Sequence, residues 1–481
     1  MELELRLPPD DAARLPRLPL LSAAGKLRGQ AVRIVWHDSP DAALAGEGLC
    51  LAQERGVWHL ERLVPGTAIW PPGAPAPIQS HAATPDGLAH VMPPTLAAVA
   101  AFAGRRTGFE VETDHGPVTL WMWRGALRAV EAERPACRLH LSGADAALRS
   151  VALALADALP VDVPRATLAA EGLAAARGLP PPARQLGAPA LPDGLDIADS
   201  FASVLGHLTD VILHFAPAAA ADAEGPEPVH QMRVAVRRLR SAITMFRHAL
   251  DCPELAAAAA DLKVLGARLA PTRDWDVFLG ETAPPVSAAF PAEHRLARLL
   301  AAAERQRKAC HAALRAYLEG DAWRRLGIEL AWLAGARSWH PVPPDGEPIP
   351  PIEGLAAELL DKRLRKLLRA GDEIETLDAA GLHAVRLRAK RARYAAEVFG
   401  PLYPAKAARR FTERLGTLQD RLGVMNDGTT AAKLLAELGP RHAFAAGLVL
   451  GFIGADAAKL RPKVLRSWEK VRRTPAFWEQ S

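Results

Sequence analysis

Residues 229–246 read VHQMRVAVRRLRSAITMF, and residues 382–399 read LHAVRLRAKRARYAAEVF. The two segments align at one offset: His230, Arg233, Arg237, Arg238 and Arg240 correspond to His383, Arg386, Lys390, Arg391 and Arg393, each pair 153 residues apart. The register continues downstream without slippage, from Leu262 to Leu415, Leu265 to Leu418, Leu269 to Leu422 and Asp274 to Asp427. Self-similarity at a fixed period marks a duplicated unit. Its apolar residues recur at helical spacing, so the unit is an all-helical bundle present twice.

Placed on a helix at about 100° per residue, His230, Arg233, Arg237 and Arg240 form one stripe about 80° wide. Val236, Leu239, Ile243 and Phe246 make the adjoining apolar face. Arg238 points off the stripe, and Arg247 rejoins it two turns on. His383, Arg386, Lys390 and Arg393 repeat the arrangement, with Arg391 in the place of Arg238. Neither residues 229–250 nor residues 381–396 contain an acid. Like charges one turn apart repel by a few tenths of a kcal/mol per pair. A chain that carries this repulsion twice is expected to meet a compensating anion.

The residue types point to phosphate. Arginine grips a phosphate through two parallel hydrogen bonds, and lysine adds a point charge. The two histidines are either packed helix-start residues or ligands, as neutral donors or charged beside a bound phosphate. Lys362, Arg363, Arg365, Lys366 and Arg369 lie just upstream of the second stripe, while Lys263, Arg273 and Lys433 lie on the helices that follow the stripes. These extend the basic surface or are ordinary solvent-facing charges. Asp274 and Asp427, which follow Arg273 and Asn426, read as helix caps or as groups that orient the basic side chains rather than as metal ligands.

The formal charge of +5 over 481 residues is modest but uneven. Residues 196–481 hold 41 Lys and Arg against 34 Asp and Glu, and the preceding residues hold 18 against 20. Composition is that of a globular protein, with 49% hydrophobic and 23% charged residues. The opening MELELRLPPDDAARL is no secretory signal. The longest apolar stretch, residues 443–455, is too short to span a bilayer and reads as a buried helix. Cys50, Cys137, Cys252 and Cys310 form no CxxC pair, so neither a disulfide framework nor a zinc site is indicated. A cytoplasmic location is expected.

Two proline-rich breaks, residues 180–194 and 340–354, divide the chain. Before the first, alternating runs at residues 2–7, 31–36 and 118–123 predict strands, with a helical patch at 144–158. The expected organisation is an α+β domain over residues 1–180, a linker at 181–195 and a helical domain over 196–481. Its two repeats span about 196–340 and 353–481.

HQMRVAVRRLRSAITMF, with LAPTRDWDVFL downstream and LHAVRLRAKRARYAAEVF in a second copy, resembles the CHAD family, the histidine-containing α-helical domain, over about residues 196–478. The resemblance implies two similar helical bundles around a central basic surface that binds inorganic polyphosphate, and association with polyphosphate granules. It places His230, Arg233, Arg237 and Arg240 on that surface, with their partners from His383 to Arg393. Such domains often follow a CYTH domain, an antiparallel β tunnel that hydrolyses triphosphate with a divalent metal. The first 180 residues resemble a degenerate CYTH domain. Glu2, Glu4 and Arg6 stand at its ExExK motif with Arg for Lys, and Trp36-His37-Asp38-Ser39-Pro40 resembles its YFDTP segment. The arginine pair after its GLxL turn is Ala52 and Glu54 here, and the strand of alternating glutamates reads Cys137-Arg138-Leu139-His140-Leu141.

The expected function is therefore non-catalytic polyphosphate binding, with no cofactor and no membrane contact. Glu2 and Glu4 remain weak candidates for a cation. One alternative is a metal-dependent triphosphatase using Glu2, Glu4 and Arg6. Another is nucleic-acid binding, which the scarcity of aromatics on the stripes disfavours.

Overall fold

The computed structural model describes residues 2–63, 95–129, 132–178, 189, 191, 194–247, 249–341 and 351–479. Most of the two proline-rich breaks, and the side chain of Asp427, lie outside the described residues. Contacts divide the chain into two units. The first is Met1–Leu186 with Thr209–His214 and Glu319–Ser338; the second is Gly187–Leu208, Phe215–Leu318 and Trp339–Ser481.

Alternating residues build the sheet of the first unit. Its strands are β1 (Glu2–Arg6), β2 (Gly25–Asp38), β3 (Leu49–Glu54), β4 (Val57–Arg62), β5 (Ala97–Val111), β6 (Val118–Ala129) and β7 (Ala132–Gly143). All pairs are antiparallel, in the order β1-β7-β6-β5-β2-β3-β4, and the sheet curls into an open half-barrel. Gly104 of β5 faces Gly125 of β6. A Cβ at Gly104 would lie 2.4 Å from the Arg124 carbonyl, so only glycine permits this strand approach.

Besides two four-residue helices, α1 (Pro19–Ser22) and α2 (Ala43–Gly46), this region contributes α3 (Asp145–Ala158) and α4 (Leu168–Ala176). The Thr167 hydroxyl caps α4 by accepting from the Ala170 amide at 3.1 Å. Leu168, Ala169, Ala170 and Leu173 of α4 share one buried cluster with Ile34, Trp36, Ala100, Phe102 and Leu127 of the sheet. Helix α4 thus fills one face of the half-barrel with apolar side chains. Gly172 permits the close seating, because a Cβ there would lie 2.9 Å from that of Ala100. On the other side α3 buries Leu148, Val151 and Leu155, each worth roughly 1.5–3 kcal/mol.

Beyond the sheet the chain forms α5 (Ile197–Ala221), α6 (Glu227–Phe246), α7 (Pro253–Val277), α8 (Ala283–Ala289), α9 (His294–Leu318), α10 (Asp321–Ala336), α11 (Ile352–Ala370), α12 (Ala379–Phe399), α13 (Ala405–Glu437) and α14 (Ala443–Arg472). Helix α10 belongs to the first unit, where the Trp332 indole donates to the Asp145 carbonyl at 2.8 Å and Arg149 pairs with Glu329 at 2.8 Å. Among the described residues, α5 alone is long and apolar enough to cross a membrane, and half of its most apolar window is buried within the protein.

In the second unit α6 and α12 are the counterpart helices of the duplication, and they pack on each other. Phe246 and Phe399, equivalent positions, touch with ring centroids 5.8 Å apart. A residue that meets its own counterpart lies on a two-fold axis. The duplication has therefore produced a local pseudo-two-fold relation between α6 and α12.

The apolar run at 443–455 is not a buried helix. It is the first part of α14, where Ala445 and Val449 are buried but Phe444 is 54% exposed beneath the Arg295 guanidinium, 3.5 Å away. One face of the run, with Ala446, Leu450, Phe452 and Ile453 partly buried beside Ala445 and Val449, packs on a core, while the opposite face stays open.

Candidate anion-binding site

Helix α6 buries Val229, Met232, Val236, Leu239, Ile243 and Phe246, which turns Arg233 and Arg237 toward α12. Helix α12 does the same with Leu382, Val385, Ala389 and Ala392, and presents Arg386 and Lys390. The four cations meet in a cavity of about 330 Å³, which His230, Arg273 and Asp274 also line. Its walls obey the duplication. Arg233 and Arg386, Arg237 and Lys390, Val277 and Thr430, and Phe278 and Ala431 are all pairs 153 residues apart. Phe278 and Thr282 come from a π-helical turn, Phe278–Thr282, that continues α7. π-Helical turns are frequent at functional sites.

The cavity is electrostatically unsatisfied. The buried Nε atoms of Arg237 and Arg386, both of which line it, have no hydrogen-bond partner among the described residues. Burial lowers the Arg237 pKa, and Arg233, Arg386 and Arg393 add to the effect. Burial likewise brings Lys390 down to about 7, reinforced by Arg237, Arg386, Arg233 and Arg393. Among the described residues the one carboxylate lining the cavity is Asp274, 3.8 Å from Arg233. Burial raises its pKa, against the pull of Arg233, Arg273, Arg237 and Lys433. It lies inside α7, so it orients basic side chains and caps nothing. Burial also lowers the pKa of His230, with Arg273 adding to the effect.

The other sequence-predicted residues stand elsewhere. Arg238 pairs with Glu397 at 2.9 Å. Arg393 approaches the same carboxylate at 3.6 Å and lies 5.8 Å from the Tyr394 ring. Arg240 extends along α7, its Nη1 3.9 Å from where a Gly266 Cβ would be. Arg365 is exposed and pairs with Asp361 at 3.7 Å. Lys263, Arg391 and Lys433 are exposed, and His383, unlike His230, does not line the cavity. Arg391 instead lies with Arg388 and Arg247 near Arg363, whose pKa burial and these neighbours lower. Sequence reasoning missed Thr282 and Thr430 as cavity residues. The 153-residue offset, carried past Asp274, points to the wall position at Thr430.

The amino-terminal motif is committed internally. Glu4 is buried, 9% exposed, rather than a solvated edge acid, and it accepts from Arg138 at 3.1 Å. Arg138, 2% exposed, also donates to Glu171 of α4 at 2.7 Å. Burial raises Glu4 to about 7 against the pull of Arg138. Arg6 makes a two-pronged pair with Asp162, one bond being 2.8 Å. Asp38 accepts from the amides of Ser39, Leu44 and Ala45 at 2.8, 3.0 and 3.1 Å and so shapes a turn. Glu2 and Glu4 line a second cavity, of about 370 Å³, with Arg106, Trp121, Trp123 and His140. The divalent metal of a CYTH tunnel does not fit these residues, because the Arg138 guanidinium already holds Glu4.

The CHAD-domain model matches residues 203–436. Residues 203–436 form a CHAD domain. The chain is similar to the crystal structure of the CHAD domain from the plant Ricinus communis, at 28% identity and a TM-score of 0.53, covering 61% of this chain and 99% of that one. It also matches PptA from Streptomyces chartreusis, at 18% identity and a TM-score of 0.43, covering 56% of this chain and 99% of that one. No curated protein matches the chain. The amino-terminal half-barrel is compatible with a CYTH-like tunnel domain.

Proposed function

We propose that the cavity between α6 and α12 of the CHAD domain binds inorganic polyphosphate without cleaving it, and that this binding takes the protein to polyphosphate granules in the cytoplasm. The observation that carries the reading is the convergence of Arg233, Arg237, Arg386 and Lys390 on one cavity, with the Nε atoms of Arg237 and Arg386 buried and unpartnered. Leaving a buried donor unmet costs roughly 1–3 kcal/mol. An anion with many phosphoryl oxygens removes that cost at several donors together. The chemistry of the cavity agrees with what the family resemblance implies.

Residues 209–214 and 319–338 belong to the first unit, so binding is measured on the full chain. Long-chain polyphosphate is titrated at moderate salt, in competition with single-stranded DNA at equal phosphate concentration. Saturable binding is expected, with DNA the weaker competitor. Arg237→Ala with Arg386→Ala should weaken it by at least about 100-fold, at 1.5–3 kcal/mol per charged hydrogen bond. Full affinity in that double variant refutes the reading, and DNA competing equally favours nucleic-acid binding. Metal-dependent phosphate release from triphosphate that Glu2→Ala abolishes would establish the tunnel as an enzyme.

A further inference from the structure

We propose that Lys390 is a covalent modification site for acyl phosphates, whose phosphoryl group docks on Arg233, Arg237 and Arg386 and whose carbonyl carbon then meets the Lys390 amine.

The cavity supplies both halves of this reaction. Arg237 and Arg386 line the same space as Lys390, and their Nε donors are buried and unpartnered. A phosphoryl group seated there lies beside the amine in a site of about 330 Å³. That is the size of a small-molecule pocket, so a short acyl phosphate enters whole. Among the described residues the groups that face Lys390 are almost all cationic: Arg233, Arg237, Arg386 and Arg393, with the Tyr394 ring 5.8 Å from its Nζ. Asp274, across the cavity on α7, is engaged by Arg233. In the empty cavity burial and these cations hold the Lys390 pKa near 7, so about half of the amine is neutral at that pH. An ordinary lysine is neutral about a thousandfold less often there. A docked acyl phosphate raises this pKa again, though less than a polyanion does, and the neutral fraction that remains is what reacts. Lower basicity costs some nucleophilicity, by analogy with thiols, but with a slope of only about 0.4–0.5.

The step balances without another reactant. The Nζ lone pair forms a bond to the acyl carbon, and the C–O bond to phosphorus-bound oxygen breaks. Inorganic phosphate leaves with the electron pair and takes the amine proton. The product is a neutral N-acyl lysine, and the cavity has lost one cation. The proposal rests on the cavity accepting phosphoryl oxygens and does not require that polyphosphate be the physiological ligand.

The test incubates the full chain with acetyl phosphate near pH 7.5 and follows each lysine by peptide mass spectrometry. Acetylation of Lys390 at least tenfold faster than of the exposed Lys406 and Lys470 is expected. The preference should shrink with the uncharged reagent N-hydroxysuccinimidyl acetate, and in Arg386→Gln. Equal rates at Lys390 and Lys470, or the same preference from both reagents, overturns the proposal. Fast labelling that tripolyphosphate slows supports both this proposal and the polyphosphate reading. Fast labelling slowed by inorganic phosphate but indifferent to tripolyphosphate supports the acylation and counts against polyphosphate, whereas labelling that neither slows overturns the docking. Slow labelling in protein that binds polyphosphate overturns the acylation alone.

Discussion

Arg237 and Lys390 occupy equivalent positions in the two copies, 153 residues apart, and both line one cavity. After burial itself, Arg237 is the largest influence holding the Lys390 pKa down. A duplication has thus brought two like charges together from opposite helices, where an anion would relieve their repulsion.

Polyphosphate affinity should fall as pH rises above 7. Free Lys390 titrates near 7. A bound polyanion raises its pKa, so binding takes up a proton between those values. Affinity is flat below this window and falls by up to about tenfold per pH unit within it. Lys390→Arg should flatten the profile between pH 7.5 and 9. His230, lowered from 6.5, titrates below that range. A profile unchanged in Lys390→Arg would show that Lys390 is not the linked group.

Lys390→Met should stabilise the empty protein while weakening binding. The ammonium is desolvated among arginines, and replacing a poorly compensated buried charge with an apolar group is stabilising by about 1–2 kcal/mol. Thermal unfolding at pH 7 should shift upward by a few degrees. A downward shift would mean that the lysine stem, rather than its charge, dominates the packing.

Arg238→Ala should separate folding from binding. Its guanidinium is tied to Glu397 at 2.9 Å in a site where both side chains are largely buried. Removing it leaves that carboxylate to Arg393 alone, 3.6 Å away, and should cost about 2–3 kcal/mol of stability. Affinity measured well below the unfolding temperature should stay within about twofold, less than one charged hydrogen bond is worth. A tenfold loss would put Arg238 at the anion.

The first unit should become less stable from pH 5 to 8. Burial raises Glu61 to about 7 from 4.5, although the Trp36 indole donates to it at 3.1 Å. A carboxyl with a raised folded pKa stabilises below its unfolded value, and that stability is lost as pH rises through the folded one. Glu4 acts in the same direction. Glu61→Gln keeps the acceptor and should recover about 1–3 kcal/mol at pH 8. The comparison is of melting midpoints at pH 5.5 and 8 in both proteins.

Gly172→Leu should unseat α4. Even a Cβ at that position would lie 2.9 Å from the Ala100 Cβ and 3.4 Å from the Trp36 ring. Overpacking of this kind costs about 1–3 kcal/mol. Limited proteolysis within residues 168–176 should accelerate.

The helices and the four central cations were legible because helical period and duplication both act on local sequence. The strands at residues 2–7, 31–36 and 118–123 were legible for the same reason. Partner choice was not. Arg237 and Arg238 are neighbours, yet one turns into the cavity and the other toward Glu397, which lies 159 residues away in sequence. The fate of Glu4 was equally hidden, because Arg138 and Glu171 reach it only after β1, β7 and α4 have assembled. Helix α10 reads as part of a helical repeat, but its partner is α3. Each of these depends on long-range packing that no local period encodes.

The contact of Phe246 with Phe399 has a consequence for what kind of polymer suits the cavity. A nucleic-acid strand has a direction, and matched donors on two related walls would meet its two ends as different objects. A linear chain of phosphates reads the same from either end. On such a ligand Arg233 and Arg386 would meet equivalent oxygens, and the chain could slide by one phosphate or reverse without losing a contact. The site would then hold its ligand without fixing its direction or register, which suits capture from a dense mass of polymer better than selection of a terminus.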